Sequence, residues 1–183
     1  MSLKINKVFF KSVYVLSPKT YSDNRGSFFE SWNKKIFNEL LNINYEFVQD
    51  NHSISIEGTL RGLHYQFPNP QGKLVRVISG EIFDVFVDLR KSSSTFGQWG
   101  GVNLSSDNMK QIWIPSGFAH GFLTLSSKAE VLYKTTDYWH KENEKTIIWD
   151  DKNISIKWPT TKKIIISEKD RNGISFKKAQ YFK

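Results

Sequence analysis

An all-β jelly roll or related barrel is the fold class that the sequence predicts, and three observations predict it. Aromatic residues make up 15% of the chain. The apolar segments are short, rich in β-branched residues and separated by turn residues, as half-buried strands require. Only one stretch carries a helical period. A length of 183 residues suits a single domain spanning 1–183, large enough to bury its apolar surface without covalent staples.

Composition narrows the chemistry. The chain has no cysteine, which excludes disulfides, thiolate metal sites and cysteine nucleophiles. Its opening, MSLKINKVFFKSVYVLSP, has no uninterrupted apolar run of signal-peptide length, and no run is long enough to cross a membrane. A soluble cytoplasmic protein is expected. The net charge of +8 raises the question of a polyanion. The basic residues are scattered, however, and no nucleic-acid-binding signature accompanies them. Basic groups gathered around a small anionic ligand are the expected use of that charge.

The elements follow in order. SWNKKIFNELLN reads as the helix, with Trp32, Ile36 and Leu40 recurring at four-residue spacing. TLRGLHYQ and KLVRVI read as strands, SGE as a turn, and IFDVFVDL as a strand with Asp84, Phe86 and Asp88 on one face. KQIWI runs into a turn at Pro115. FAHGFLTL places Phe118, His120, Phe122 and Thr124 together, and AEVLYKTTDYW does the same for Val131, Tyr133 and Thr135. A small barrel holds either core side chains or one ligand. Polar residues alternating with aromatics on the inward face favour the ligand, with His64, Lys73, His120 and Tyr133 at one mouth.

Two chemistries compete for that mouth. A metal-binding barrel presents paired histidines, an acid and a distant third histidine. Here Gln66 stands where the second histidine would be and Lys73 where the acid would be, a poor donor set for a divalent ion. Proton transfer fits better. An imidazole exchanges protons near neutrality, a lysine cation stabilises a developing oxyanion, and a tyrosine supplies a second proton. Each residue also has a plain structural reading. His64 can be an interior hydrogen-bonded histidine, Tyr133 a core residue and Lys73 a surface strand residue, while Asp84 can pair with Arg76 or Arg90.

Longer motifs separate these readings. The run from FVQDNHSISIEGTLRGLHYQFPNPQGKLVRVISGE through QIWIPSGFAHGFLTLS and VLYKTTDYW resembles the dTDP-4-dehydrorhamnose 3,5-epimerase family, as do DNRGSFFESW before it and SEKDRN after it. The resemblance covers residues 8 to 172 or thereabouts. It implies a cupin-type jelly roll (a double-stranded β-helix), a site without metal or other cofactor, and a homodimer. It further implies inversion of carbons 3 and 5 of dTDP-4-keto-6-deoxy-D-glucose, for L-rhamnose synthesis. By position it makes His64 the base, Asp170 its partner, Tyr133 the opposing proton donor and Lys73 the enolate-stabilising cation, with His120 and Asp84 in the same pocket. Arg25, Phe28 and Glu30 match a nucleotide-binding segment that a partner subunit can contribute. Gln49, Asn51 and Arg61 match residues that hold the base and diphosphate, with Lys169 and Tyr138 beside them. Arg61 lies one residue out of phase with Gly62 and His64 on an ideal strand, so its entry into the pocket requires a twist or bulge near Gly62. The closing GISFKKAQYFK matches no family motif and is assigned no function.

Overall fold

The computed structural model describes residues 2–183. Its strands are β1 (Leu3–Phe9), β2 (Val13–Pro18), β3 (Thr20–Asp23), β4 (Gly26–Phe29), β5 (Gln49–Ile56), β6 (Thr59–Gln66), β7 (Lys73–Ser79), β8 (Glu81–Asp88), β9 (Trp99–Ser105), β10 (Gln111–Ile114), β11 (Phe118–Thr124), β12 (Lys128–Thr135), β13 (Glu144–Thr146) and β14 (Ile165–Ile166). Helix α1 (Lys34–Leu41) precedes β5, and α2 (Glu168–Arg171) follows β14. One sheet runs β1-β2-β10-β7-β12-β5, and the second runs β13-β6-β11-β8-β9 with β14 added in parallel to β6. Strands β3 and β4 form a separate hairpin. No helix among the described residues is long and apolar enough to cross a membrane.

Side-chain alternation sorts the apolar residues into layers. Val75, Val131 and Ile112 from the first sheet meet Ile82, Phe86, Phe118 and Phe122 from the second, forming the cluster between the sheets. Leu16, Leu74 and Trp113 point out of the first sheet and are covered by Phe37 and Leu41 of α1. Leu63, Tyr65, Val85, Val87 and Ala119 point out of the second sheet and are covered by residues near the end of the chain, including Ala179 and Phe182. Strand β11 is therefore buried on both faces throughout.

The helix is shorter than its periodicity suggested, and its buried stripe is centred one residue further on, with Leu40 and Trp32 partly buried against the same cluster. Asn33 accepts a hydrogen bond from the Ile36 N–H (3.1 Å) and caps α1, so Trp32 lies before the helix. Phe37 and Leu41 are the buried residues. Trp32 instead packs edge-on against Phe37 and Phe47, at 4.9 and 4.7 Å between ring centroids. The turn at Ser79–Glu81 also does more than reverse the chain, because β7 and β8 belong to different sheets.

The irregularity expected beside Arg61 is present. His120 pairs with His64 but Phe122 pairs with Arg61, so three steps on β6 oppose two on β11. This extra residue rephases β6 and lets both Arg61 and His64 face the same cavity. Gly62 sits at the irregularity with φ +123°, and a Cβ there would stand 2.6 Å from Gly121 Cα and 2.8 Å from the His120 carbonyl oxygen. Both contacts are with backbone, which cannot swing aside. Gly62→Ala is accordingly expected to destabilise the protein by roughly 2–4 kcal/mol, read as a lower midpoint in urea unfolding.

Candidate active site

The strands deliver a group of titratable side chains to a cavity of about 210 Å³ at one end of the barrel. His64 and His120 enter from the second sheet, on β6 and β11. Lys73 and Tyr133 enter from the first, on β7 and β12. The two walls thus carry different chemistry.

Asp170 reaches His64 from far along the chain. Strand β14 runs beside the start of β6, Ser167 caps α2, and the third residue of that helix lies beneath the imidazole. His64 Nε2 and Asp170 Oδ1 are 2.6 Å apart, and the Gly62 N–H donates to Oδ2 at 3.3 Å. Burial opposes ionisation of Asp170, but the hydrogen bonds and charge of His64 and the Gly62 amide outweigh it and hold its pKa below the ordinary carboxylate value. An ionised acid behind the ring fixes its orientation and supports its cationic form.

Lys73 opens β7, where the cavity closes over it. Its ammonium donates to the His64 carbonyl oxygen at 3.3 Å, the one hydrogen bond it makes among the described residues. Burial pushes its pKa down to about 8, against the opposing pull of Glu144 and Asp84. Tyr133 moves the other way: burial first, and the nearby Glu144 second, raise its pKa, so the phenol keeps its proton at neutral pH.

His120 forms a second imidazole–carboxylate pair, its Nε2 lying 2.8 Å from Asp84 Oδ2. Asp84 is fully buried behind the ring, and its other oxygen has no hydrogen-bond partner among the described residues. Neither arginine considered for Asp84 joins it. Arg90 binds Asp88 at 2.8 Å, and the charge acting on Arg76 is that of Asp50. Gln66 is buried and occupied structurally, donating to the Asn69 and Tyr138 carbonyl oxygens and accepting from the His140 N–H. Among the described residues no three His, Asp or Glu side chains converge as a ligand set.

Further out, Gln49 Nε2 donates to Asn51 Oδ1 at 2.9 Å, and Arg61 is tethered to Ser55 Oγ at 3.0 Å with its guanidinium in the cavity wall. Lys169 reaches the mouth through Glu144, at 2.6 Å. Glu144 and Trp139 line the cavity and are absent from the sequence-derived set. Glu144 sits in β13, opposite Gln66, a pairing that the charged string KENEKT does not announce. Trp139 closes the VLYKTTDYW motif, and that position was the available signal. Tyr138 is not brought to this cavity: it is 58% exposed and is not among the lining residues. The following residue, Trp139, borders the cavity while remaining half exposed, and its N–H donates to Gln49 Oε1 at 2.9 Å.

Arg25, Phe28 and Glu30 are not brought to this cavity. Arg25 and Phe28 line a shallower cleft on the β3–β4 hairpin, where Arg25 pairs with Asp23 at 2.7 Å and Phe28 is 71% exposed. Glu30 accepts hydrogen bonds from Ser2 and Asn33 beyond that hairpin.

Comparison with known proteins bears on this arrangement. Residues 7–178 match the family profile described as dTDP-4-dehydrorhamnose 3,5-epimerase. A Shigella flexneri protein of that name is 52% identical over 98% of this chain and 99% of its own length. A Pseudomonas aeruginosa protein of the same name is 51% identical, with 98% of this chain and 99% of its own covered. The crystal structure of a Legionella pneumophila dTDP-6-deoxy-D-glucose-3,5-epimerase, in complex with dTDP-4-keto-L-rhamnose, superposes with a TM-score of 0.93. It is 47% identical, and the match covers 97% of this chain and 95% of that one. The jelly roll read from the strands is thus shared with solved enzymes of this kind.

Proposed function

Because the chain belongs to the dTDP-4-dehydrorhamnose 3,5-epimerase family, we propose that it is an isomerase inverting carbons 3 and 5 of dTDP-4-keto-6-deoxy-D-glucose. The product, dTDP-4-keto-6-deoxy-L-mannose, would serve L-rhamnose synthesis. The observation that carries the reading is the division of labour between the walls. A histidine backed by a carboxylate stands on one sheet, and a protonated tyrosine and a lysine stand on the other.

Both carbons lie next to the 4-keto group, so removing a proton from either gives an enolate at oxygen 4. His64 takes that proton, and Asp170 stabilises the imidazolium that forms. The Lys73 ammonium faces the oxygen where negative charge collects, in a site where burial strengthens the interaction. Tyr133 then delivers its phenolic proton to the opposite face of the planar carbon, which inverts the centre. The carbon has given one proton to His64 and taken a different one from Tyr133. Exchange with solvent restores both groups before the second centre reacts.

The nucleotide is held further out. Arg61, kept in place by Ser55 Oγ and the Ile54 carbonyl oxygen, presents guanidinium donors to the diphosphate. Gln49 and Asn51 face the same space. In this reading a homodimer completes the site, with Phe28 of one subunit stacking on the pyrimidine bound by the other, and Arg25 and Glu30 beside it. The exposure of Phe28 on its hairpin supports that arrangement.

Proton NMR of the keto sugar in deuterated water, with the L-configured product trapped by a reductase, tests the proposal. Deuterium is expected at carbons 3 and 5. In Tyr133→Phe, deuterium entry should continue while trapped product falls about 100-fold, the size of a lost general acid. Equal loss of both activities would remove Tyr133 from the donor role. Deuterium at carbon 3 alone would make the protein a single-carbon epimerase or a ketoisomerase.

A further inference from the structure

Segment 173–183 is built into the wall behind the proposed base. Helix α2 has only four residues, too few to hold a shape unaided, so whatever flanks it fixes the position of Asp170. On its far side the chain is tied down at once. The Ile174 N–H donates to the Thr146 carbonyl oxygen, and the Ile148 N–H to the Ile174 carbonyl oxygen, both at 2.9 Å. Ile147, between them, exchanges backbone hydrogen bonds with Leu63 at 2.9 and 3.1 Å, next to His64. Gly173 permits this approach, since a Cβ there would stand 2.8 Å from the Ile148 nitrogen.

The segment then crosses the outer face of the second sheet under two buried side-chain anchors. Asp151 Oδ2 accepts from the Phe176 N–H at 2.8 Å, while its Oδ1 accepts from the Asn153 and Ile154 amides. The Tyr65 hydroxyl accepts from the Gln180 N–H at 3.1 Å. Tyr65 is the neighbour of His64 on β6 and points to the opposite face. Phe182 closes the run by pairing with Leu89 and Lys91, its ring near those of Tyr65 and Phe67. Both halves of the His64–Asp170 pair are thus referenced to one strap.

We infer that Asp151 and Tyr65 are positioning residues for the His64–Asp170 pair, acting through segment 173–183. The inference rests on the assignment of that pair as the base. A pair held at 2.6 Å has little tolerance for drift, and a small misplacement of a reacting group is costly in rate. Asp151 does not line the cavity; Tyr65 borders it, but its ring packs in the outer-face cluster and its hydroxyl is taken up by the Gln180 N–H, so substrate affinity should be spared.

Kinetics on the full chain test this. Asp151→Asn leaves one acceptor oxygen where Phe176 on one side and Asn153 and Ile154 on the other need two, and Tyr65→Phe removes one hydroxyl while keeping the ring in the core. Each variant is expected to lower kcat about tenfold with KM changed by less than about twofold. Adding Asp151→Asn to Asp170→Asn should slow the enzyme no further, because the carboxylate being positioned is already gone. Unchanged kcat in a folded Tyr65→Phe variant overturns the inference. So does a loss from Asp151→Asn that is equally large with and without the Asp170 carboxylate. Should Asp151→Asn not fold, combining Tyr65→Phe with Asp170→Asn tests the same coupling. An undiminished rate in Asp170→Asn alone overturns the base assignment, and the strap inference falls with it.

Discussion

His64→Ala is expected to abolish deuterium entry at carbon 3 and carbon 5 alike, with kcat reduced by about 10³-fold or more. General base catalysis contributes about 10²–10⁴ in rate, and under the proposed mechanism that role belongs to His64 alone of the two imidazoles at the cavity. His120, the nearest alternative, is paired with Asp84 on the neighbouring strand. His52 and His140 lie at the surface, near Glu130 and Glu142. The alanine variant should fold, since the His64 side chain is 28% exposed and its removal opens no closed apolar void. The measurement is the solvent-exchange NMR experiment at enzyme concentrations high enough to see one turnover in hours. Exchange persisting at carbon 5 alone would mean that the two centres use different bases.

Lys73 carries the second large effect. Removing one preorganised donor from an oxyanion site costs about 10²–10³ in kcat, so Lys73→Met should lose about that much. Its stability should move the opposite way. A buried ammonium with one hydrogen bond is costly, and a methionine of similar length fills the space without a charge. Wild-type kcat/KM should fall as pH rises through about 8, where free Lys73 loses its proton. The sign for stability is the reverse. Unfolded, the lysine keeps its proton up to its ordinary value of 10.5, so between 8 and 10.5 the unfolded chain binds more protons. This group's contribution therefore makes the fold more stable as pH rises through that window. Activity declining while the thermal midpoint holds or climbs would separate deprotonation of Lys73 from unfolding. A flat kcat/KM between pH 7 and 9 would remove Lys73 as the charge that matters.

Much of the barrel's interior was legible because period-two alternation does not depend on partners. Phe118, His120 and Phe122 share a face wherever β11 is placed, and so do Ile82, Asp84 and Phe86. The bulge was legible for a related reason: Arg61 and His64 cannot face one cavity along a regular strand, and Gly62 stands between them. What escaped depends on pairings between distant segments. The sequence does not reveal that β7 and β8 lie in different sheets, or that β13 carries Glu144 alongside β6. The helix's most deeply buried residues, Phe37 and Leu41, sit one position beyond Ile36 and Leu40 on the same apolar stripe, and which edge of a stripe goes deepest depends on the sheet it covers. That Trp139 borders the cavity and Tyr138 does not was beyond the sequence, because neither residue lies in a strand whose alternation would assign it a face. Lys73 was legible as a residue of the barrel mouth, but the choice between that place and an exposed strand position rests on what closes over the start of its strand.

The separation of His64 and Tyr133 onto different sheets has a consequence for protein engineering. Their spacing is set by the thickness of the apolar filling between the sheets, where Val75, Val131 and Phe122 meet. These side chains act as shims. Under the proposed mechanism, stereochemical outcome is expected to respond to hydrocarbon volume while every ionisable group stays in place.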